Sequence, residues 1–379
     1  NTGDLNTGVY FPAADTVGVV AGGTEQFRFA SNPIPGGYKN KVINGDMTIH
    51  QRTGSISVDD ADKYTLDMWE MYEHTSAGVV AVSQDTDVPT SADAGTARSV
   101  FGNSLQVDCS TADTSIAAGD YAYFDTKIEA QFALDFGYGA ASAKASTLSF
   151  WKKTNLTGQW SLSIYQQDGN RYYTANYTVA GTGWEYHTIT IPGDASGTIN
   201  NDNGPGIRVR WHLVTGSTNQ GSADAWTAGN KLGVSGDVNF FSSTSNVLNI
   251  TGVQYELGSV ATSFDFRAPG QALTECRRYY QRVDGAYPMP WTVVVENTTS
   301  GYAYCRLQSQ MRVAPTITVN AGSDTVYSNA GNRFSSYGTP YVYGPDAWYQ
   351  GFVLSGSVGG YAGRWRVESG GSYIWSAEL

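Results

Sequence analysis

Between residues 147 and 213 the chain is a succession of strand-length runs broken by tight turns, and this pattern limits the fold more than any other feature. The runs span 147–152, 160–165, 172–179, 184–191 and 206–213, with Asp168-Gly169-Asn170 and Gly181-Thr182-Gly183 as turn signals. In the last run Ile207, Val209, Trp211 and Leu213 share one face and Arg208, Arg210 and His212 take the other. That is the side-chain period of a strand with one buried face. Many short strands of this kind predict an antiparallel sandwich. Phe150 or Trp151, Ile164, Ile189 and Val209 are its expected shared core, and His187 and His212 are expected to alternate outward.

The composition agrees. The chain has 44 glycines, 13% aromatic residues and 15% charged residues, against about a quarter charged in an ordinary globular domain. Gly, Asn and Ser suit tight turns, and Tyr, Trp and Thr suit pleated surfaces. No run of 18 apolar residues occurs, which excludes a membrane-spanning helix. No secretory signal pattern is visible.

The expected fold class is all-β: a jelly-roll-like antiparallel β-sandwich and a smaller C-terminal β-domain, joined by one short helix and preceded by a β-shaft segment. Residues 1–37 read as that shaft segment and a linker, with Val17, Val19, Phe27 and Phe29 alternating around a Gly22-Gly23 turn. Thirty residues of hairpin cannot bury a core alone, so copies around a threefold axis are expected to cover those side chains. Residues 38–268 read as the sandwich. Residues 269–283 read as a connector helix, with Leu273, Cys276 and Tyr280 on one face and Pro269 near its start. Residues 284–379 return to strands. Asn1 rather than Met opens the chain, so processing or an upstream segment is expected.

The formal charge of −11 is diffuse and argues against a nucleic-acid partner. Cys109, Cys276 and Cys305 are far apart, and are expected to be reduced, small core residues. Asp59, Asp60 and Asp62 form an acidic knot, but a calcium ion needs six to eight oxygens from several loops, so a solvated loop is the expectation. No HExxH, GxSxG or phosphate-cradling loop is present. No metal, cofactor, membrane insertion or catalysis is therefore expected.

Aromatic rings are the candidate ligand-binding groups, because a flat ring can stack on the apolar face of a sugar while nearby Asn, Asp and Arg bind its hydroxyls. Trp160, Tyr172, Tyr173 and Trp226 lie in or beside stretches rich in Asn, Asp and Gly. Tyr337, Tyr341, Tyr343, Trp348 and Tyr349 form a second cluster. Each ring fits a core or trimer-contact role as well. Trp69, Trp151 and Trp211 are read as packing.

Several segments carry a resemblance. YFPAADTVGVVAGGTEQFRF resembles the last strand-turn unit of phage fibre proteins before a distal domain. KVINGDMTIHQRTGS with DKYTLDMWEM, and later LNITGVQYELGSVATSFDFRAPGQALTECRRYYQR, resemble the opening and end of a sandwich domain of phage fibre and virion surface proteins. MRVAPTITV and the terminal WSAEL resemble the small β-domain that follows. TLSFWKK, SLSIYQQDGNRYY and GTGWEYHTITIP are similar to jelly-roll carbohydrate-binding modules. The resemblance implies a virion structural protein, the distal part of a trimeric tail or head fibre. Its partners would be copies of itself, other virion proteins through a segment upstream of residue 1, and a host-surface glycan. A polysaccharide-degrading tailspike and a capsid decoration protein with no receptor are the alternatives.

Overall fold

The computed structural model describes residues 7–13, 16–22, 24–30, 38–94, 101–284, 288–297, 299–320, 325–328, 331–332, 334–337, 340–342, 344–354, 362–366 and 372–379. The chain divides into two compact units. The larger takes residues 1–48, 54–65 and 69–267, and the smaller takes 49–53, 66–68 and 268–379.

At the N-terminus, β1 (Gly8–Ala13), β2 (Thr16–Ala21) and β3 (Thr24–Ala30) form an antiparallel meander. Gly18 lets the Tyr10 ring lie close over β2, since a Cβ at that position would lie 2.3 Å from it. Val17 pairs with Phe29 and Val19 with Phe27. The side chains of Val17, Phe27 and Phe29 lie outside the described residues.

The body of the larger unit is an antiparallel two-sheet sandwich. In chain order its strands are β4 (Ile56–Val58), β5 (Ala61–Tyr64), β6 (Trp69–His74), β7 (Val79–Asp85), β8 (Ser104–Thr111), β9 (Tyr121–Glu129), β10 (Ser146–Thr154), β11 (Gly158–Gln166), β12 (Arg171–Val179), β13 (Glu185–Ile191), β14 (Pro205–Thr215), β15 (Thr227–Ala228) and β16 (Val247–Leu257). Among the described residues one sheet has the order β13-β10-β16-β8-β7-β4 and the other β15-β12-β11-β14-β9-β6-β5.

Alternation decides what lies between the sheets. Leu148 and Phe150 on β10, Val107 on β8 and Ile250 on β16 face Phe124, Ile164, Val209 and Trp211 of the other sheet, and all are buried. Phe150 meets Trp211 edge-on across the sandwich at 5.6 Å, and Trp211 stacks on Phe124 at 5.6 Å. Each large apolar side chain buried in this way contributes about 1.5–3 kcal/mol. Phe150 is thus the inward member of its pair, while Trp151 pairs with Tyr186 on the opposite face. Ile189, on the edge strand, is half-buried.

Two outward assignments are corrected. His187 lies opposite Phe150 in register and packs on it and on Tyr177, so it faces inward. His212 does share the outer face with Arg208 and Arg210, but that face is covered: His212 is 3% and Arg210 0% exposed.

The interior also holds a charge-bearing side chain, Lys152. Its Nζ lies 3.1 Å from the centroid of the Trp160 ring and donates to the Tyr177 hydroxyl at 3.0 Å. Burial pushes its pKa well below the ordinary lysine value, with Asp237 and Glu185 opposing the shift.

In the smaller unit the helix spans Pro269–Arg277 and buries Ala272 and Cys276. It is shorter than the expected 269–283, because Tyr280–Asp284 forms strand β17. β17 pairs with the C-terminal strand, placing Tyr280 opposite Ser376 and Val283 opposite Tyr373. Long-range pairing overrides local helical spacing here. The remaining strands are β18 (Pro288–Val295), β19 (Ser300–Arg306), β20 (Thr316–Asn320), β21 (Thr325–Ser328), β22 (Gly331–Asn332), β23 (Phe334–Tyr337), β24 (Tyr341–Val342), β25 (Ala347–Leu354), β26 (Ala362–Arg366) and β27 (Ser372–Ser376). β17, β27 and β20 make one sheet; the others make a second. Trp348 packs on Tyr373 and Trp375 at 5.6 and 5.3 Å to form the core of this unit. Arg52 lies 3.8 Å from the centroid of the Tyr280 ring and pairs with Glu378, which explains why residues 49–53 belong to this unit. Cys109 and Cys276 are buried.

Candidate functional site

The outer face of the sheet β15-β12-β11-β14-β9-β6-β5 is unusual for a surface. Because Trp69, Met71, Phe124, Val209 and Trp211 point inward, their neighbours in sequence all point out. Strand register then sets them in rows. Glu70 lies opposite Asp125, Tyr72 opposite Tyr123 and His74 opposite Tyr121. Asp125 lies opposite Arg210, and Lys127 opposite Arg208. Arg210 and Arg208 face Ser163 and Tyr165, which face Thr174 and Tyr172 in turn.

These rows make an aromatic floor edged by charge. Tyr72 and Tyr123 stack at 4.6 Å and 17°, Tyr121 continues the stack at 6.0 Å, and His74 covers the end of Tyr121 at 5.0 Å. Arg208 sits 4.8 Å above the Tyr72 centroid, and Arg210 4.2 Å above that of Tyr165. Such placements are favourable because the ring face is electron-rich. Arg208 donates to Asp125 Oδ2 at 2.6 Å, and Lys127 to Glu70 Oε2 at 2.5 Å and to the Tyr64 hydroxyl at 3.0 Å. The Tyr72 hydroxyl donates to Glu70.

Burial shapes the electrostatics. It raises the Glu70 carboxyl above its ordinary range; Lys127 opposes this and Asp125 adds to it. Burial, with Arg208 alongside, lowers Arg210 to about 10. Burial and the Arg210 charge depress His212 to about 3, so it is neutral around pH 7 and bonds Ser163 Oγ at 3.0 Å. Asp125 Oδ1, Arg210 Nε and His212 Nδ1 are buried and have no hydrogen-bond partner among the described residues. An unmatched buried acceptor and donor on one face call for a water or ligand partner.

A strap, residues 216–238, crosses half of this face. Arg210 Nη1 donates to Asn230 Oδ1 at 2.7 Å, and Thr174 Oγ1 to the Leu232 carbonyl at 3.0 Å. The Leu232 side chain seats on Tyr72 and Tyr123. Tyr64, His74, Tyr121, Lys127 and Arg208 remain partly exposed. The open part thus presents flat rings, hydrogen-bond donors and acceptors together.

The ring residues expected from the sequence are dispersed. Trp160 is 1% exposed, points into the sandwich and covers Lys152. Its position at a strand's middle, opposite Tyr177, corrects the reading of it as a loop ring. Tyr172 is on the outer face but buried beneath the strap, where Gly221 leaves room for its hydroxyl: a Cβ there would lie 2.7 Å from it. Tyr173 points the other way and meets Trp226 at 5.6 Å; the partly exposed Trp226 donates to the Pro192 carbonyl at 2.7 Å. In the smaller unit Trp348 is 0% exposed, a core residue rather than a platform. Tyr341 and Tyr349 are directly opposed on β24 and β25. Tyr343 and the Tyr337 side chain lie outside the described residues. Sequence reasoning missed Tyr72, Tyr121 and Tyr123. The signal was the Tyr-Ala-Tyr spacing at 121–123, which puts both rings on one face of a strand.

Asp60 and Asp62 of the acidic knot clasp His74 at 3.1 and 2.6 Å. Among the described residues no group of three or more His, Cys, Asp or Glu side chains is arranged to hold a metal ion.

No family model matches the chain, and no curated protein matches it. Among solved structures it is similar to a CBM4 carbohydrate-binding module (16% identity, 57% of this chain and 98% of the other, TM-score 0.28). It is also similar to the family 11 carbohydrate-binding module of the cellulosomal cellulase Lic26A-Cel5E of Clostridium thermocellum (16% identity, 56% and 98%, TM-score 0.27). A cyclase from Fischerella sp. TAU is matched as well (10% identity, 57% and 89%, TM-score 0.27). At this level the likenesses say nothing about what the chain binds. The chain is an all-β protein of antiparallel sheets, and carbohydrate-binding modules are among its structural neighbours.

Proposed function

We propose that the larger unit binds a glycan on the outer face of the seven-stranded sheet, without catalysis, and that the chain is the host-facing part of a trimeric phage fibre. One observation carries the binding reading. The partly exposed Tyr121 ring continues the Tyr72–Tyr123 stack, with His74 at its end and the partly exposed Arg208 above Tyr72, and on the same face Asp125 Oδ1 and Arg210 Nε have no hydrogen-bond partner among the described residues. A pyranose ring has apolar faces to set on tyrosines and hydroxyls that both donate and accept. The three neighbours named above bear only on fold. The virion role and the trimer rest on the order of the fibre-like segments in the sequence.

An array of immobilised bacterial surface polysaccharides tests the binding reading. The whole protein is expected to bind a subset of the array, and a Tyr123→Ala variant that still folds is expected to lose that binding. Loss of retention without release of new reducing ends identifies binding without cleavage; release of reducing ends would favour a depolymerase. Sedimentation of the whole protein as a stable monomer at micromolar concentration would contradict the trimer.

A further inference from the structure

We infer that the smaller unit carries a second sugar-stacking platform, for glycan chains, on the outer face of its larger sheet. The platform is built from residues of that unit alone and does not depend on the face described above. Its core is a row of tyrosines across three adjacent strands: Tyr341 on β24 lies opposite Tyr349 on β25, which lies opposite Tyr304 on β19. Adjacent strands are about 4.8 Å apart, so the row is about 10 Å long. Tyr302 extends it sideways, 5.4 Å from Tyr349 and 5.5 Å from Tyr304, and Tyr349 and Tyr304 meet at 5.6 Å. Opposite Tyr302 stands Gly351, so no side chain rises beside that ring.

The face is open. Tyr304 is 60% and Tyr341 61% exposed, and Val294 and Val353 at its margins are 41% and 43% exposed. The opposite side of the same strands is the core: Ala303, Trp348 and Gln350 are fully buried. The outward tyrosines are therefore not needed to hold the sheet together.

Chemistry selects the occupant. Every described aromatic ring on the face is a tyrosine, and its aliphatic residues are two marginal valines. An interface between copies of one chain is richer in aliphatic and methionine side chains at its centre. Tyrosine rings in a flat row, each with a hydroxyl at its tip, instead match the alternation of apolar ring face and hydroxyl rim along a sugar chain. Arg306 stands at one edge of the face, opposite Ala347.

Affinity electrophoresis of the whole protein in gels containing dextran, galactan or mixed-linkage β-glucan tests this. At least one of these neutral polymers should retard the protein. Tyr304→Ala with Tyr341→Ala should weaken that retardation at least tenfold, whereas Tyr304→Phe with Tyr341→Phe should keep most of it, and Tyr186→Ala, an exposed ring outside both faces, should leave it unchanged. Both tyrosines are exposed, so the alanine variant should melt with the parent protein. No retardation by any of the three polymers would overturn the inference. So would unchanged retardation of the alanine variant, or an alanine variant whose only change is reduced self-association on sedimentation, since the face would then belong to a second copy of the chain.

Discussion

Asp125 lies directly opposite Arg210 in strand register, yet it bonds Arg208 through Oδ2, and Arg210 turns to Asn230. One carboxylate therefore stands between two guanidinium groups on a face where both are mostly or wholly buried.

From this arrangement follows a steep stability effect. Asp125→Ala leaves two buried guanidinium groups without their shared counter-charge. Breaking a buried ion pair from one side costs about 3–5 kcal/mol. Urea unfolding should show a loss of this size for Asp125→Ala and a smaller one for Asp125→Asn, which keeps a hydrogen-bond acceptor. A loss below about 0.5 kcal/mol, the range of an ordinary surface change, would mean that the pair is solvated.

Val209 is 0% exposed on the inner face of β14, directly opposite Ile164 and Thr126. Val209→Ala should cost roughly 1–3 kcal/mol through the lost methyl groups and the cavity left behind. A variant that melts with the parent protein would show that the inner face has been misassigned.

The inner faces were legible in the sequence; the state of the outer ones was not. Ile207, Val209, Trp211 and Leu213 alternate, and all four are buried as that alternation requires. The same alternation suggested solvent on the side of Arg210 and His212, but a strap farther along the chain, at Asn230 and Leu232, closes over them. No local pattern announces such a cover. The helix was visible from Pro269, but its end at Arg277 is set by pairing with β27, a hundred residues away. Trp160 drew attention by ring size, whereas Tyr121 and Tyr123, whose spacing placed them on one face, compose the site.

Histidines should give the stability curve two opposing slopes. His74 is held above its ordinary value: burial lowers it, but its hydrogen bonds to Asp62 and Asp60 and their negative charges outweigh burial. Its folded pKa exceeds the unfolded one, so its contribution is full below about pH 6.5 and fades as pH rises through the folded value. His212 and His187 are lowered to about 3 and about 4, by burial first and then by Arg210 and Lys152 respectively. Their contribution is present above about pH 6.5 and is lost as pH falls toward those values. Melting temperatures across pH 4 to 8 should therefore fall on the acid side in the parent protein. The acid-side loss should shrink in His212→Gln, and the decline above pH 6.5 should shrink in His74→Ala. An unchanged pH profile in both variants would contradict these assignments.

Glycan binding should survive about 0.5 M salt. The charged groups on the seven-stranded face are paired, mostly buried and in contact with rings, and such groups are screened far less than exposed ones. A tenfold fall in affinity between about 0.1 and 0.5 M salt would indicate capture by exposed charge instead.

The most direct measurement compares two tyrosines on opposite sides of the sandwich. Tyr72 is part of the stacked floor. Tyr186, 45% exposed and 5.1 Å from Trp151, lies on the outer face of the other sheet. The whole protein and its Tyr72→Ala and Tyr186→Ala variants, each first shown to melt cooperatively, are titrated calorimetrically with the polysaccharide that scores highest on the array. At least a tenfold loss of affinity for Tyr72→Ala, with Tyr186→Ala unchanged, is the predicted result. Unchanged affinity for Tyr72→Ala, or a loss confined to Tyr186→Ala, would contradict the placement of the site on the seven-stranded face.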